Sequence, residues 1–593
     1  MFRQLIKWAL LSVAVVGWTG CRSPSAQLER ADQAATDKVE RQQRELFDRE
    51  QPFTIERPAD TLRRRLLAAQ GLPVTVEDGT EAVPLEEADA VGPVMLDLNR
   101  ALTIGARNSR EYQERKEDIF RAALNWDVEQ WAFRETWQGT LEATYSDDQV
   151  GEEESARGIV QTTTWGVGRT LRTGAELSTR IAFDLVKLLS LDRDSAYGVL
   201  ADVSVQVPLL RGAGRAVVTE PLTQAERNVM YAMFNFELFK SRYAVRVATE
   251  YLQVLQQMDQ VQNAKDNYDR VAISARRARR LAEAGRLPEI QVDQAQQEEL
   301  RARDRWLAAN TVYERRLDQL KVTLGLPADA RIVLDGTDLE RLTAAMHDEA
   351  QEATAGLDAD VDVRADAPIP QPVPRTERIE SDDAARIALQ QRYDLQVAVG
   401  QVYDAERGLV VARDALRMGA NLAAGGRVGS RRGLGNVGQG DARLDFSDAA
   451  YDTTLELDLP WSRHRQRSAY RDQYISVERA QRRVQELEDQ IKGEIRQALR
   501  TLIQARESMA IQARSVELAQ RRVDSTELFL QAGRAQIRDV LEAQEALVSA
   551  RNALTDAVVT YRLAELELQR DMGVLTVDDE GLWQEYTAWS EEG

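Results

Sequence analysis

The polar and apolar positions of this chain divide it into long helical stretches and shorter alternating ones. The stretch 221–284 contains no glycine, and no proline after Pro221, which predicts one helix of about 95 Å. The stretch 466–532 predicts another of about 100 Å. Gly285 and Gly533 end these helices, and a second helix follows each, reaching about residues 324 and 572.

The helix after Gly285 carries apolar residues at steps of three and four: Trp306, Ala309, Tyr313, Leu317, Leu320 and Leu324. This spacing is typical of a coiled-coil seam, and the other faces of the helix are polar. A solvated coiled coil would explain this seam, but it would not explain the strands and the N-terminus.

Period-two alternation predicts strands within about 137–208 and 418–459. The clearest segments are Trp137–Ser146, Ala175–Asp184, Val199–Val207 and Tyr451–Leu459, with aromatic residues near several ends. The pattern is typical of a transmembrane barrel wall, although a half-buried soluble sheet alternates in the same way. A turn at 172–174 indicates an additional hairpin, so four or six strands per chain remain open. A closed barrel needs about eight strands or more, so several chains would have to share one.

A shift of 248 residues superposes the two halves of the chain without a gap over some forty residues. Gly285 then falls on Gly533, Tyr313 on Tyr561 and Gly325 on Gly573; the remaining matches include Ala284/Ala532, Arg286/Arg534, Val292/Val540 and Leu320/Leu568. The sequence therefore predicts a two-fold internal repeat of helix, strands, long helix and helix.

The first residues form an export signal. Arg3 and Lys7 precede the apolar run 8–18, which is too short to span a bilayer as a helix. The only cysteine, Cys21, follows two small residues. This arrangement resembles a bacterial lipoprotein signal, so we expect cleavage after residue 20 and a lipid on Cys21; a plain signal peptide is the alternative.

The composition excludes several function classes. The 593 residues include one cysteine and two histidines that lie far apart, which argues against disulfides, histidine zinc sites and catalytic triads. A net charge of -20 argues against a general nucleic-acid binder. We therefore expect that the protein is not an enzyme and that it has no catalytic residues, no metal site and no cofactor.

From Leu96 to Leu575 the chain resembles the TolC family of outer-membrane efflux and secretion channels. The matching motifs are ALTIGARNS (101–109), VQVPLLRGAGR (205–215) with LDLPWSRHRQR (457–467), EAGR (283–286) with QAGR (531–534), LGLP (324–327) and MGVL (572–575). No single motif is strong, but their order, spacing and duplication are specific.

The resemblance implies an α+β membrane protein that forms a homotrimer. A periplasmic α-barrel would continue into a shared, twelve-stranded transmembrane β-barrel in the outer membrane. The expected division is a signal peptide (1–20), a lipid-anchored extension (21–95), repeat 1 (96–339), an acidic proline-rich linker (340–380), repeat 2 (381–575) and a tail (576–593).

The resemblance also places functional residues. Gly285, Arg286, Gly533 and Arg534 would form periplasmic tips where an adaptor protein docks. Asp539 and Glu542 share a helix face and match paired acidic positions at the channel constriction. Six such carboxylates in a trimer would favour cations.

The leading hypothesis is a passive exit duct of a tripartite efflux or type I secretion system, working with a periplasmic adaptor (membrane fusion protein) and an inner-membrane pump. The alternative is a lipid-anchored periplasmic coiled-coil scaffold or adaptor, although two repeats with strands in their middle disfavour it.

Overall fold

The computed structural model describes residues 23–48, 53, 55, 62–70, 94–149, 155–188, 195–344, 381–434, 439–532, 534–578 and 580–584. The predicted signal peptide and most of the predicted acidic linker lie outside these ranges.

Helices dominate the described residues. They are α1 (Pro24–Phe47), α2 (Leu62–Ala69), α3 (Leu98–Asn108), α4 (Arg110–Trp131), α5 (Arg215–Val218), α6 (Glu220–Glu283), α7 (Glu289–Thr323), α8 (Ser381–Gln391), α9 (Tyr393–Asp414), α10 (His464–Gln531) and α11 (Ile537–Met572). The predicted bounds of α6, α7, α10 and α11 are confirmed to within two residues, because glycine or proline marks most of their ends.

The strands are β1 (Val94–Leu96), β2 (Thr136–Gln149), β3 (Ser155–Thr170), β4 (Glu176–Leu188), β5 (Ala196–Pro208), β6 (Ile332–Leu334), β7 (Gly419–Ser430), β8 (Ala450–Asp458), β9 (Thr576–Val577) and β10 (Trp583–Gln584). β1 and β6 form a short parallel pair, and β9 and β10 a short antiparallel one.

The chain divides into two compact units, and each repeat contributes to both. One, here called the sheet unit, comprises 1–53, 118–233 and 397–484. The other, the helical unit, comprises 54–117, 234–396 and 485–593.

The sheet unit holds a six-stranded antiparallel sheet in the order β2-β3-β4-β5-β7-β8. Within the described residues this sheet has six strands, which answers the question of four or six. The predicted turn is present: Leu171 donates its backbone N–H to the carbonyl of Ala175 at 2.7 Å, and Gly174 has a φ of 96°. The twelve-stranded barrel implied by three chains needs four strands from each, so that number does not fit this chain.

The helical unit packs α11 against α10, α6 and α7. Ala505 and Met509 of α10 bury their side chains against Val558 and Tyr561 of α11. The predicted α7 seam is packed, with Trp306 stacked on Tyr268 of α6 at 5.9 Å between ring centroids. These buried apolar contacts hold the helices together.

The predicted repeat extends to individual hydrogen bonds. At the end of α6 the N–H of Arg286 donates to the carbonyl of Leu281 at 2.9 Å. At the end of α10, 248 residues later, Arg534 donates to Phe529 at 2.8 Å. The ends of α7 and α11 match as well, since Gly325 and Gly573 have φ values of 76° and 73°. Both glycines take the left-handed conformation that ends the helix, which explains why glycine recurs at this position in the two repeats.

Candidate functional site

One face of the six-stranded sheet carries large, exposed apolar side chains on β2, β3, β4, β5 and β8, and mostly small residues on β7. Its large side chains are between 38% and 81% exposed: Trp137, Leu141, Tyr145, Ile159, Trp165, Leu177, Ile181, Phe183, Tyr197, Val203, Tyr451, Leu455 and Leu457. The register places them side by side, for example Tyr145 opposite Ile159 and Trp165 opposite Ile181. A continuous apolar face of this extent is typical of contact with lipid or another protein.

The opposite face is mostly polar. Ser178 and Ser204 share a hydrogen bond of 2.7 Å there, and Arg180 pairs with Asp202 at 3.4 Å. The alternation predicted from the sequence therefore covers the additional hairpin as well as the predicted strands.

Tight contacts hold the turn between β3 and β4 and the ends of the strands near the helices. Gly212 donates its N–H to Asp414 at 2.7 Å, and Arg211 pairs with Asp458 at 2.7 Å. Gly214 donates to the carbonyl of Thr173 in the turn at 3.2 Å. These contacts fix how the chain passes from sheet to helix within the sheet unit.

The turn after α6 contains two of the predicted tip residues. Gly285 has a φ of 68°. A Cβ at this position would have no atom within 4 Å, so it is the backbone conformation and not a lack of space that favours glycine. Arg286 and its counterpart Arg534 are exposed. Gly533 and Cys21 lie outside the described residues.

The predicted acidic pair lies exposed on the first turns of α11. The carboxylate of Asp539 accepts a hydrogen bond from the N–H of Gln536 at 2.8 Å, closing a capping box. Glu542 pairs with Arg522 of α10 at 3.0 Å. Each acid thus has a structural partner in its own hairpin.

Sequence reasoning missed a polar cluster between α6 and α9 in the sheet unit. Asp404 accepts hydrogen bonds from Arg227, from the Tyr231 hydroxyl at 2.6 Å and from Arg407 at 2.9 Å. Arg407 also pairs with Glu220 at 3.0 Å. Burial, with the hydrogen bond to Asp404, raises the pKa of Tyr231 to about 12. These residues lie far apart in sequence, so no local pattern could indicate the cluster.

A second cluster that the sequence did not indicate surrounds Arg392 in the helical unit. Its guanidinium is buried and donates to Asp394 at 2.7 Å and to Glu494 at 2.5 Å. Burial favours a higher pKa for Asp394, but the hydrogen bonds and charge of Arg392 outweigh it and hold that pKa below its usual range. This cluster joins α9 to α10 and is structural.

The described ranges lack two further features. No helix there is both long enough and apolar enough to cross a bilayer. Nor do those ranges contain a group of three or more histidine, cysteine, aspartate or glutamate side chains suited to a metal ion.

No protein-family model and no curated protein sequence matches the chain. Solved structures do match. The outer membrane protein VceC of Vibrio cholerae aligns with 80% of this chain and 96% of its own, with a TM-score of 0.56 and 13% identity. The CmeC outer membrane channel of Campylobacter jejuni aligns with 80% of this chain and 85% of its own, with a TM-score of 0.55 and 13% identity.

The MtrE outer membrane channel of Neisseria gonorrhoeae covers 80% of this chain and 89% of its own, with a TM-score of 0.54 and 11% identity. At these identities the likeness is one of fold. The resemblance that the motifs predict is confirmed at that level, and the chain has the fold of the TolC-type outer-membrane channels.

Proposed function

We propose that this protein is a passive outer-membrane channel for efflux or secretion. The observation that carries the proposal is the apolar face that continues over all six strands, opposite a polar face, in a chain with this fold. Such a sheet suits a wall with lipid on one side and a water-filled lumen on the other.

We infer that three chains share the wall. Within the described sheet, β2 and β8 are the edge strands, and each is paired along one edge. An open edge in lipid would leave backbone groups without partners, so β8 of one chain should pair with β2 of the next. Six strands from each of three chains would give an eighteen-stranded barrel, within the range of such proteins.

The helical unit supports the same closure. Two rows of apolar side chains remain more than half exposed: Ile290, Leu300, Leu307 and Val322 on α7, and Ile503, Ile511, Leu518 and Leu528 on α10. Two different surfaces that complement each other around a ring are what a heterologous cyclic assembly requires. The α7 row of one chain would then pack on the α10 row of its neighbour.

The finer roles are proposals that rest on this assembly. The turns at Gly285, Arg286, Gly533 and Arg534 would dock a periplasmic adaptor, which links the duct to an inner-membrane pump. Asp539 and Glu542 would surround the channel constriction. A lipid on Cys21 would anchor each chain to the outer membrane. The system would be a tripartite efflux or a type I secretion system.

Native mass spectrometry followed by single-channel recording in planar bilayers tests the proposal. We expect a trimer with a steady, cation-selective conductance. A monomer or dimer without conductance would contradict the channel and favour the lipid-anchored scaffold. Extraction separates the two as well, because a scaffold held only by lipid should leave the membrane in the Cys21→Ser variant, whereas a barrel resists carbonate and high salt.

A further inference from the structure

The four residues after β7 fold back over the polar face of the sheet. This segment, 431–434, is here called the strap. It contacts β3, β4 and β5 near Leu188 and Ala196, at the end of the sheet away from the turn at 171–175. A connection between two strands usually runs beyond the sheet rather than across one face.

Asp184 anchors the strap. This side chain of β4 belongs to the polar face, yet the residue is only 2% exposed because the strap covers it. Its carboxylate accepts two hydrogen bonds from Arg431, at 2.8 and 3.2 Å, and one from the N–H of Arg432 at 3.1 Å. Thr162 of β3 donates to the same carboxylate at 2.9 Å. A bidentate arginine pair with added donors is a strong and directional contact.

The strap also makes an apolar contact with the sheet. Leu434 is buried against Val186, Leu188 and Ala196, with Val160 beside them. The register shows that these residues lie on the same face as Asp184. Elsewhere this face carries the polar residues Thr162, Ser178, Arg180 and Ser204. The polar pattern of this face is therefore interrupted where Leu434 packs.

Two glycines of the polar face make room for the strap. A Cβ at Gly158 would lie 2.4 Å from Cδ2 of Leu434, and one at Gly198 would lie 2.6 Å from the N atom of Arg432. A Cβ at Gly158 would also lie 2.7 Å from the carbonyl oxygen of Lys187 in β4, so a close backbone atom explains glycine at both positions.

Arg432 holds the loop closed on itself. Its buried side chain donates to the carbonyl of Gly440 at 2.7 Å and to Ser430 at 2.6 Å. Beyond it, Ala442 donates to the carbonyl of Tyr197 at 2.8 Å. The loop is thus tied to β5 on both sides of the residues 435–438.

We propose that the strap lies inside the lumen of the assembled barrel and forms a constriction near its helix-distal mouth, with Arg431 as a residue that sets charge selectivity there. The inference rests on the proposed channel, because the polar face is the lumen face only in that assembly. A wide barrel of eighteen strands gives such a segment space to fold inward. The half-exposed guanidinium of Arg431 would border the path of the solute.

Cysteine modification tests the position of the strap. In Arg431→Cys channels, a negatively charged methanethiosulfonate reagent should lower the single-channel current in as many steps as there are chains. It should also shift selectivity towards cations. Leu455→Cys, on the apolar face of β8, is the matched control and should not respond. The unaltered chain, whose only thiol belongs to Cys21, gives the background.

A steric pair of variants provides a second readout. Gly158→Val should displace the strap and raise the conductance about two-fold. Gly166→Val is its control on the same strand and face, where a Cβ would meet only the carbonyl oxygen of Thr179 at 3.5 Å. If Arg431→Cys fails to assemble, the difference in conductance between these two variants tests whether the strap forms the constriction.

The outcomes separate the two proposals. Channels whose current ignores both Arg431→Cys modification and Gly158→Val would overturn the constriction while leaving the channel intact. A wild-type protein that forms no channel would overturn the proposed function itself.

Discussion

At the scale of the residue, Asp539 and Glu542 show how one pair of acids carries two different energetic roles. The carboxylate of Asp539 satisfies a backbone N–H at the start of α11, whereas Glu542 contacts Arg522 across the hairpin. An exposed ion pair contributes little to stability, but an N-terminal cap contributes about 1 kcal/mol. Stability and conduction can therefore be measured separately at these two positions.

We predict that Asp539→Ala lowers the free energy of unfolding by about 1 kcal/mol, and that Glu542→Ala lowers it by less than about 0.5 kcal/mol. The double variant should lose cation selectivity in planar bilayers, because its carboxylates would no longer surround the constriction. Unchanged selectivity and conductance would remove both residues from the constriction.

Gly285 allows a prediction about the turn between α6 and α7. Gly285→Ala should destabilise the protein by about 1 kcal/mol, because an L-residue is strained at a φ of 68°. Gly493→Ala within α10 is the control: no atom lies within 4 Å of its new methyl group, so better helix propensity should stabilise by about 1 kcal/mol. Thermal unfolding measures both, and equal effects would show that the turn does not require the left-handed conformation.

The lowered pKa of Asp394 predicts that the stability of the protein depends on pH. Its pKa is lower in the folded chain than in the unfolded chain, so its contribution is fully present above about pH 4 and is lost as the pH falls through the folded value. Asp394→Asn should cost about 3 kcal/mol at pH 7, because it leaves Arg392 less well paired. It should cost little at the lowest pH at which the protein stays folded. Urea unfolding at several pH values checks this, and a loss that did not vary with pH would contradict it.

At the scale of the element, prediction from sequence succeeded where local signals were strong. The glycines and prolines around α6 and α7 determined their ends, since a helix cannot continue through them. Alternation predicts strands in the regions of β3 and β7 but does not give their bounds, because Gln161 and Thr163 interrupt the apolar positions of β3 and β7 consists largely of small residues. The clusters around Asp404 and Arg392, and the strap, depend on contacts between distant segments that no local pattern encodes.

The apolar rows on α7 and α10 predict an assembly surface. Leu300→Glu or Leu518→Glu should shift the trimer towards monomers by at least about ten-fold in dissociation constant, because each places a charge in an apolar contact. Gln291→Glu adds the same charge on the side of α7 away from this row, about half a turn around the helix from Leu300, and should leave assembly unchanged. Native mass spectrometry across a dilution series measures the effect. Equal behaviour of all the variants would exclude these rows from the interface.

At the scale of the whole molecule, the strand number determines the width of the proposed pore. Barrel diameter grows roughly in proportion to strand number, so eighteen strands give a barrel about 1.5-fold wider than twelve. In Gly158→Val channels we expect neutral polymers too large for a twelve-stranded barrel to reduce the conductance by entering the lumen. If only polymers small enough for a twelve-stranded barrel reduced the conductance, the barrel would instead consist of two six-stranded sheets. Native mass spectrometry would then show a dimer.

The order of strands in the sheet also has a kinetic consequence. Neighbours from β2 to β5 are joined by short connections, and β7 and β8 by the longer connection 431–449, whereas the pair β5–β7 joins strands from the two repeats and brings Val199 beside Ser430. Local hairpins form quickly, but contacts between residues so distant in sequence are slow because a long loop must close first. The two repeats should therefore reach partly folded states separately, and the seam between β5 and β7 should be the last part of the sheet to close. Until then two additional apolar strand edges remain exposed to aggregation, which makes this seam the step at which an envelope chaperone would be most needed.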